Sequence, residues 1–337
     1  MCLAWVFDFT SMPESGRRCW WSNDVLPDDR LDGIANRYTL VPSPRSSRRA
    51  FAQENDGAMA IITELHVYPV KSCRGIALDR ARIAIAGFAH DREWLIVDSD
   101  GRFVTQREVP RLALITTAIS DAALTLAAPG HGSISVPLEL REAPVEVTCW
   151  RDRCAAFDAG AVAAAWLEGF LGAAYRLVRF NPDRPRPSDP RWTQDVRALN
   201  QFSDAFPWLV VSEASLRDLN GRLAVPLPMN RFRPNIVVDG LAAYAEDRVH
   251  ELYDEDVRLR MVKACTRCAI PTTDQATGER TTDEPLRTLA TYRHDRQLKG
   301  VIFGQNAVLI EGLGLELCVG QELAVLWKTS EMAQTAQ

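Results

Sequence analysis

The chain has 337 residues, of which 47% are hydrophobic and 25% are charged, and its formal net charge at pH 7 is −5. These values are typical of a globular protein of two domains, and the negative charge argues against nucleic-acid binding, which requires a basic face. No apolar run reaches the roughly 20 residues needed to span a bilayer, and the dispersed cysteines favour a reduced, cytoplasmic protein over a disulfide scaffold.

Residues 1–58 differ in composition from the rest of the chain. They are rich in proline, serine and arginine and show no apolar periodicity, which predicts a disordered extension. Several acidic residues argue against an organelle transit peptide, and no secretory signal is recognisable. Because Met59 directly precedes a strand-like run, we expect the functional protein to begin there.

The first domain is predicted over residues 59–180 and is mostly strands. Alternating or β-branched runs predict these strands at 61–70, 82–85, 93–98 and 102–105 and several within 114–149. The turn Asp98-Ser99-Asp100-Gly101 predicts a hairpin. A helix is predicted over 159–171 with Asp158 as its cap, because Val162, Trp166 and Phe170 recur every four residues.

A proline-rich connection, residues 180–190, is expected to be exposed and to lead into a second domain at 191–330. Ser212 is expected to cap a helix with Leu216, Leu219 and Leu223 on one face. Another helix should begin near Asp283-Glu284-Pro285. Strands are predicted at 208–211, 235–238, 257–263, 301–303, 307–310 and 315–327. Their dominance predicts a closed or nearly closed barrel.

The segment Cys265-Thr266-Arg267-Cys268 places two thiols and a guanidinium within four residues. A neighbouring cation favours the thiolate. The segment does not open a helix, as a redox Cys-x-x-Cys would, and a structural zinc site lacks a second ligand pair. Two interpretations remain open: one cysteine is a nucleophile or the sole protein ligand of a metal, or both are small buried apolar residues.

Two basic turns are candidate anion sites. Lys71-Ser72-Cys73-Arg74-Gly75 ends a predicted strand with two cations and a hydroxyl, and Asn230-Arg231-Phe232-Arg233-Pro234-Asn235 precedes another strand. Such groups suit a phosphate or a carboxylate. Arginine on a surface turn is more often solvated than functional, so the residues alone do not decide the matter.

Six motifs together resemble a known family. In chain order they are Tyr68-Pro69-Val70-Lys71-Ser72, Asp91-Arg92-Glu93-Trp94, Ser212-Glu213-Ala214-Ser215-Leu216, Arg231-Phe232-Arg233-Pro234-Asn235, Cys265-Thr266-Arg267-Cys268 and Phe303-Gly304-Gln305-Asn306. They resemble the two-domain branch of the MOSC family that includes the mitochondrial amidoxime reducing component, over residues 60–327. The resemblance implies a mainly β fold with some α: an N-terminal β-barrel-like domain packed on a C-terminal MOSC β-barrel with peripheral helices.

The same resemblance implies a molybdenum–molybdopterin cofactor with Cys268 as the metal ligand and Cys265 as a structural neighbour. Asp274 would line the metal pocket and serve as the candidate proton donor, so Cys268 and Asp274 are the implied catalytic residues. The residues implied to contact the cofactor are Lys71, Ser72, Arg92, Ser212, Arg233 and Asn235. The implied activity is reduction of small N-hydroxylated compounds (amidoximes and hydroxylamines) by oxygen-atom transfer to molybdenum. Binding of pyridoxal phosphate is left undecided.

The expected partners follow from what the chain lacks relative to that family. Because it has neither the C-terminal four-cysteine iron–sulfur set nor the membrane anchor of some relatives, we expect a separate electron donor, such as a flavin reductase, a ferredoxin or a cytochrome b5-like protein. Two alternatives remain: a molybdenum-cofactor carrier or sulfur-transfer protein with a Cys268 persulfide, and a cofactor-binding domain that has lost turnover.

Overall fold

The computed structural model describes residues 57–329, so the predicted extension lies outside the described residues except for its last two positions. The fold is mainly β, as predicted. The elements of the first half, in chain order, are β1 (Met59–Val67), β2 (Ile76–Leu78), β3 (Arg80–Ala84), β4 (Gly87–Phe88), β5 (Trp94–Val97), a 3₁₀ turn (Pro110–Leu114), β6 (Thr116–Ile119), β7 (Ala123–Ala128), β8 (Gly132–Pro137), β9 (Pro144–Cys149), β10 (Asp152–Asp158), α1 (Ala161–Leu171) and β11 (Arg176–Phe180).

The second half, as far as residue 329, contains further strands and three short helices. In chain order these elements are β12 (Arg186–Pro187), α2 (Pro190–Thr193), β13 (Leu199–Asn200), β14 (Trp208–Ser212), α3 (Glu213–Asn220), β15 (Ile236–Asp239), β16 (Val249–Tyr253), β17 (Arg258–Thr266), α4 (Leu286–Ala290), β18 (His294–Asp295), β19 (Gly300–Glu311), β20 (Glu316–Cys318) and β21 (Glu322–Trp327). Three further 3₁₀ turns are Met229–Arg231, Ala245–Arg248 and Ile270–Thr272.

A closed barrel forms the largest sheet of the described structure. Its ring follows the order β14-β15-β1-β21-β16-β17-β19, and pairing of β19 with β14 closes it. Strands β14 and β15 are parallel and the other pairs are antiparallel. The strands enclose an apolar core that includes Ile62, Leu65, Trp208 and Leu259, and a register shift between Ile62 and Glu64 lets both β1 residues join it. The predicted barrel is confirmed, and β1 joins it from the region assigned to the first domain.

The rest of the first half is built from smaller sheets. One has the order β5-β11-β10-β9 and another is the meander β6-β7-β8. Helix α1 packs with them around a second core that contains Trp94, Leu112, Trp166 and Leu177. A third sheet has the order β20-β3-β4, so strands from both ends of the described chain also meet there. The two halves are therefore joined by strand pairing as well as by packing.

Helix α1 lies where the sequence predicts it, but its start differs. Gly160 (φ 86°) is at the N-cap and has no side-chain capping bond, while Asp158 still belongs to β10 and accepts a 2.6 Å hydrogen bond from the Gly160 N–H. Asp158 as the cap was therefore wrong by two positions. Trp166 and Phe170 are buried as predicted, whereas Val162 is 76% exposed.

The two later helices were predicted with different success. Ser212 caps α3 by accepting a 3.2 Å bond from the Ala214 N–H, and Leu219 is fully buried, which confirms the predicted cap and the buried face at Leu219. Helix α3 ends at Asn220, so the prediction was wrong for Leu223, which lies beyond the helix. Helix α4 begins only at Leu286, so Pro285 lies at its N-cap and not in its first turn. Glu284 precedes the helix but still accepts a 3.1 Å bond from the Thr288 N–H.

Several strand boundaries also differ from the predictions. The connection at 180–190 is not uniformly exposed, because Arg186 and Pro187 form β12 and Ser188 is buried. Residues 102–105 contribute two isolated β-bridges, Phe103 with Val97 and Arg102 with Thr148, instead of a strand. The predicted strand 315–327 divides into β20 and β21. Among the helices within residues 57–329, none has the length and apolar character needed to cross a membrane.

Candidate functional site

Tyr68 brings two arginines from distant parts of the chain together. Its ring is buried, and the guanidinium carbons of Arg92 and Arg233 lie 4.2 and 4.3 Å from the ring centroid. Guanidinium groups at such distances are attracted to the ring's π electrons. The Tyr68 hydroxyl donates a 3.0 Å bond to the Pro234 carbonyl, and burial raises the pKa of Tyr68 to about 12, so it remains a donor at neutral pH.

The Arg92 side chain is fixed from three sides. Its Nη1 donates to Asp91 Oδ2 at 2.5 Å and to Asn235 Oδ1 at 2.9 Å, and its Nη2 donates to the Arg233 carbonyl at 3.2 Å. Asp91 is 1% exposed and also accepts from the Tyr68 N–H at 2.8 Å. Asn235 is equally buried and donates to the His66 carbonyl at 3.2 Å. Charged bonds of this kind hold the guanidinium in one orientation.

Arg233 is the least satisfied cation of the group. It is 8% exposed, and within residues 57–329 its Nη2 has no hydrogen-bond partner. Burial, assisted by the positive charge of Arg92, lowers the pKa of Arg233 to about 10, so the side chain is still protonated at neutral pH. A buried charged donor without an acceptor is costly. Arg233 therefore has a free donor suited to an anionic ligand.

Lys71 and Ser72 lie in the turn between β1 and β2, and Lys71 is connected to Arg92 through Phe202. Lys71 Nζ donates to the Phe202 carbonyl at 2.7 Å and to Asp204 Oδ1 at 2.5 Å, and the Phe202 N–H donates to the Arg92 carbonyl at 2.9 Å. Ser72 is buried with φ 69°. The structure thus brings the predicted residues Lys71, Arg92, Arg233 and Asn235 into one network of contacts, with Ser72 next to Lys71 in the chain.

The two thiols have different surroundings. Cys265 Sγ accepts a 3.0 Å bond from Arg267 Nη1, and its side chain packs against the apolar cluster of Phe232 and Phe303. Cys268 is half-buried, and no group within residues 57–329 forms a hydrogen bond with its Sγ. In that range no set of three or more His, Cys, Asp or Glu side chains converges on a common metal position.

The loop that carries Cys268 lies against the 231–235 segment on both sides of the cysteine. Before it, Arg267 Nη2 donates to the Phe232 carbonyl at 2.7 Å. After it, Arg231 Nη1 donates to the Pro271 carbonyl at 3.3 Å and Nη2 donates to Asp274 Oδ2 at 2.7 Å. The same segment supplies Arg233 and Asn235, so the loop that carries the thiol is in direct contact with the segment that carries these two residues.

Asp274 is anchored in its ionised form. Its Oδ1 accepts from the N–H groups of Ala276 at 2.8 Å and Thr277 at 3.1 Å, and Arg231 binds the other oxygen. Burial acts to raise the pKa of Asp274, but these donors outweigh it and the pKa lies below its ordinary value. A carboxylate in this state has no proton to donate at neutral pH. The proton-donor role remains a prediction that this environment disfavours.

Ser212 lies away from this network. Its hydroxyl is fully buried and caps α3, and its backbone pairs with Val238. Asn235, in contrast, donates from its N–H to the carbonyl of Leu209, three residues earlier on β14. At about 3.3 Å per residue, this corresponds to about 10 Å along the strand. The structure therefore does not group Ser212 with the other predicted cofactor contacts.

Sequence reasoning missed several residues that build the site. Tyr68 and Asp91 lie inside the motifs that carry the family resemblance, so their positions were visible but their roles as ring contact and buried carboxylate were not. Asp204, Gln106 and Gln275 lie in no such motif, although each bonds to the turn at Lys71 and Ser72 or to the residues facing it.

Comparison with known proteins identifies the family. The MOSC N-terminal beta barrel domain matches residues 59–174 and the MOSC domain matches residues 199–324. Mitochondrial amidoxime-reducing component 1 of Homo sapiens is 37% identical over 282 residues, which are 79% of this chain and 82% of the relative. The chain belongs to the MOSC family.

Two further relatives extend the match within the MOSC family. Mitochondrial amidoxime-reducing component 1 of Mus musculus is 37% identical over 330 residues, covering 92% of this chain and 93% of the relative. Mitochondrial amidoxime reducing component 2 of Bos taurus is 36% identical over 258 residues, which cover 74% of this chain and 76% of the relative. In this MOSC protein β1 falls within the N-terminal domain match but pairs with β15 and β21 of the closed barrel.

Proposed function

We propose that this MOSC protein binds a molybdenum–molybdopterin cofactor and reduces N-hydroxylated compounds such as amidoximes and hydroxylamines. The observation that carries the proposal is the unpartnered, buried Nη2 of Arg233, which lies beside Arg92 and in the same network as the Cys268 loop. The relatives named for amidoxime reduction support the same class of activity for this chain.

The residues of the site fit such a cofactor. A phosphate is an anion that cationic donors bind well, and Lys71, Arg92 and Arg233 would hold it. The half-buried Cys268 Sγ has no competing hydrogen bond in the described chain, and a thiolate is the ligand type that suits a soft or sulfur-bound metal. Asp91 and Asn235 would orient Arg92 toward the bound group.

The proposed reaction breaks the N–O bond of the substrate and consumes two electrons and two protons, giving an amine or amidine and water. When bound, the cofactor would supply the oxygen-atom and electron transfer. The electrons would come from a separate donor, namely a flavin reductase, a ferredoxin or a cytochrome b5-like protein. Because Asp274 is held as a carboxylate by Ala276, Thr277 and Arg231, solvent is the better source of the protons.

An activity assay distinguishes this reductase from a cofactor carrier. We expect full-length, molybdenum-loaded protein to convert benzamidoxime to benzamidine when an artificial electron donor is present. Molybdenum-loaded protein that does not convert benzamidoxime would contradict the reductase and leave a carrier or sulfur-transfer protein with a Cys268 persulfide. A matched preparation without substrate corrects for background oxidation of the donor.

A further inference from the structure

Two buried glutamines connect the halves of the molecule beside the candidate site. Gln106 is fully buried and Gln275 is 6% exposed. Gln106 Nε2 donates to Gln275 Oε1 at 3.1 Å, and Gln275 Nε2 donates to Gln106 Oε1 at 2.9 Å. The two residues are 169 positions apart and lie in the two different domain matches. The amides therefore form a reciprocal pair across the boundary between those matches.

The second N–H of each amide bonds to the backbone of a site loop. Gln106 Nε2 donates to the Ser72 carbonyl at 2.7 Å, within the turn that presents Lys71. Gln275 Nε2 donates to the Thr273 carbonyl at 3.1 Å, within the loop that follows Cys268. All four amide N–H groups are thus used, and the pair links one loop to the other.

Further hydrogen bonds and one packing contact join the same two parts of the chain. Arg74 Nη2 donates to the Gln275 carbonyl at 2.7 Å, and Arg280 Nη2 donates to the Gln106 carbonyl at 2.6 Å and to Thr273 Oγ1 at 3.2 Å. A Cβ added at Gly278 would lie 3.0 Å from Leu114 Cγ, so the loop packs tightly on the first half of the chain. The glutamine pair lies at the buried centre of this contact.

We propose that Gln106 and Gln275 are positioning residues that set the separation and register of the 71–74 turn and the 268–275 loop. The consequence for cofactor binding rests on the proposed function, since those loops carry Lys71 and Cys268. Because both amides are neutral, this connection contains no ionisable group. The two ends of the site would then keep a fixed spacing as pH changes.

Replacing one glutamine with methionine keeps the side-chain volume close to the original but leaves the other amide with its carbonyl oxygen and one N–H unpaired. A buried amide with unpaired groups lowers stability more than removal of both amides does. The stability loss of the double variant should therefore be smaller than the sum of the two single losses. The variants are Gln106→Met, Gln275→Met and the double variant of the full chain. The control is Gln321→Met, because the Gln321 amide bonds to Asp254 and Cys318 at another turn.

Hydrogen exchange measured by mass spectrometry tests the connection directly. We expect Gln106→Met to speed exchange about tenfold at Thr273 and Asp274, and Gln275→Met to do the same at Cys73 and Arg74. The proposal would be overturned if each glutamine substitution sped exchange only in its own half of the chain and not in the opposite loop. It would also be overturned if the Gln321→Met control sped exchange at the same residues. Thermal midpoints in which the drop of the double variant equals the sum of the two single drops would overturn it as well.

Cofactor content provides the second measurement. We expect molybdenum and pterin per chain to fall in all three glutamine variants and to remain unchanged in Gln321→Met. If the unaltered protein itself carries no molybdenum, the proposed function fails while the exchange experiment still decides the role of the pair. If all variants retain the cofactor fully, the pair does not position the site.

Discussion

Ser72, Arg92 and Arg233 all have left-handed backbone conformations, with φ of 69°, 49° and 56°. For a residue with a side chain this conformation costs about 1–2 kcal/mol. Such strain is found where the surroundings enforce it, often at ligand sites. For Arg92 and Arg233 the enforcing contacts are the Tyr68 ring and the bonds from Arg92 to Asp91 and Asn235, and for Ser72 the bond that its carbonyl accepts from Gln106. The strained backbone thus lies at Arg92 and Arg233 and directly after Lys71, where the chain presents cations to the site.

The unequal surroundings of the thiols predict unequal effects of substitution. Cys268→Ser should lose molybdenum and at least about 90% of benzamidoxime reduction, because a hydroxyl is a poor ligand for a soft metal. Cys265→Ser should retain most of both, because Arg267 can donate to a hydroxyl as it does to the thiol. Elemental analysis and turnover of the two variants, side by side, check this. Equal losses would mean that the thiols act as a pair.

The sequence predicted part of the site at this scale. Lys71, Arg92, Arg233 and Asn235 lie in motifs that together carry the family resemblance, and the structure places them in one network. Ser212 lies in a motif too, yet its hydroxyl caps a helix. Residue type and local spacing do not distinguish a cap from a ligand contact. Nor can local sequence indicate a bond between Gln106 and Gln275, since such a bond depends on the folded chain.

At the scale of elements, the start of α3 allows a helix-capping role of Ser212 to be distinguished from a cofactor-binding role. Ser212→Ala should lower the free energy of unfolding by about 1 kcal/mol, because the Ala214 N–H loses its acceptor. Pterin content per folded chain should not change. Urea unfolding and pterin fluorescence measure the two quantities. A fall in pterin content without a fall in stability would restore Ser212 as a cofactor contact.

A buried ion pair connects β11 to the chain just before β5 and predicts a pH dependence. Glu93 accepts from Arg179 Nε at 2.6 Å, and His90 Nδ1 lies 3.0 Å from its other oxygen. Burial acts to raise the pKa of Glu93, but His90 and Arg179 outweigh it and the pKa is lowered. The ionised group therefore stabilises the fold above its unfolded pKa of about 4.3, and this stabilisation is lost as pH falls through the lower folded pKa.

Glu93→Gln should accordingly lower the free energy of unfolding by about 2 kcal/mol at pH 7. The difference from the unaltered protein should diminish as pH falls below about 4, where the unfolded carboxyl is protonated. Urea unfolding at several pH values measures it. A difference that stays constant down to pH 3 would show that the ionised carboxylate is not the source of the stabilisation.

Strands were predicted better than their ends. Gly304-Gln305-Asn306 resembles a break between two strands, yet β19 continues through it. A Cβ at Gly304 would lie 2.9 Å from the Val210 carbonyl, so the glycine permits close approach of β14 where the barrel closes. Glycine in a strand marks either a break or a close contact, and the sequence alone does not distinguish the two.

At the scale of the whole molecule, strand pairing between the two halves was the hardest feature to predict. Residues 59–67 directly precede the first-domain strands, but they complete the barrel of the second half by pairing with β15 and β21. Alternation specifies that a segment is a strand and which face is buried. It does not specify the neighbour, because pairing across more than 170 residues depends on the packing of the entire fold.

Molybdenum and pterin content of the full-length protein tests the central claim most directly. The protein should be purified from a host that makes the cofactor, with an Arg233→Ala variant as the matched control for the unpartnered guanidinium. We predict molybdenum and pterin in equimolar amount with the chain, and a marked loss of both in the variant. Folded, full-length protein that contains neither would contradict the account.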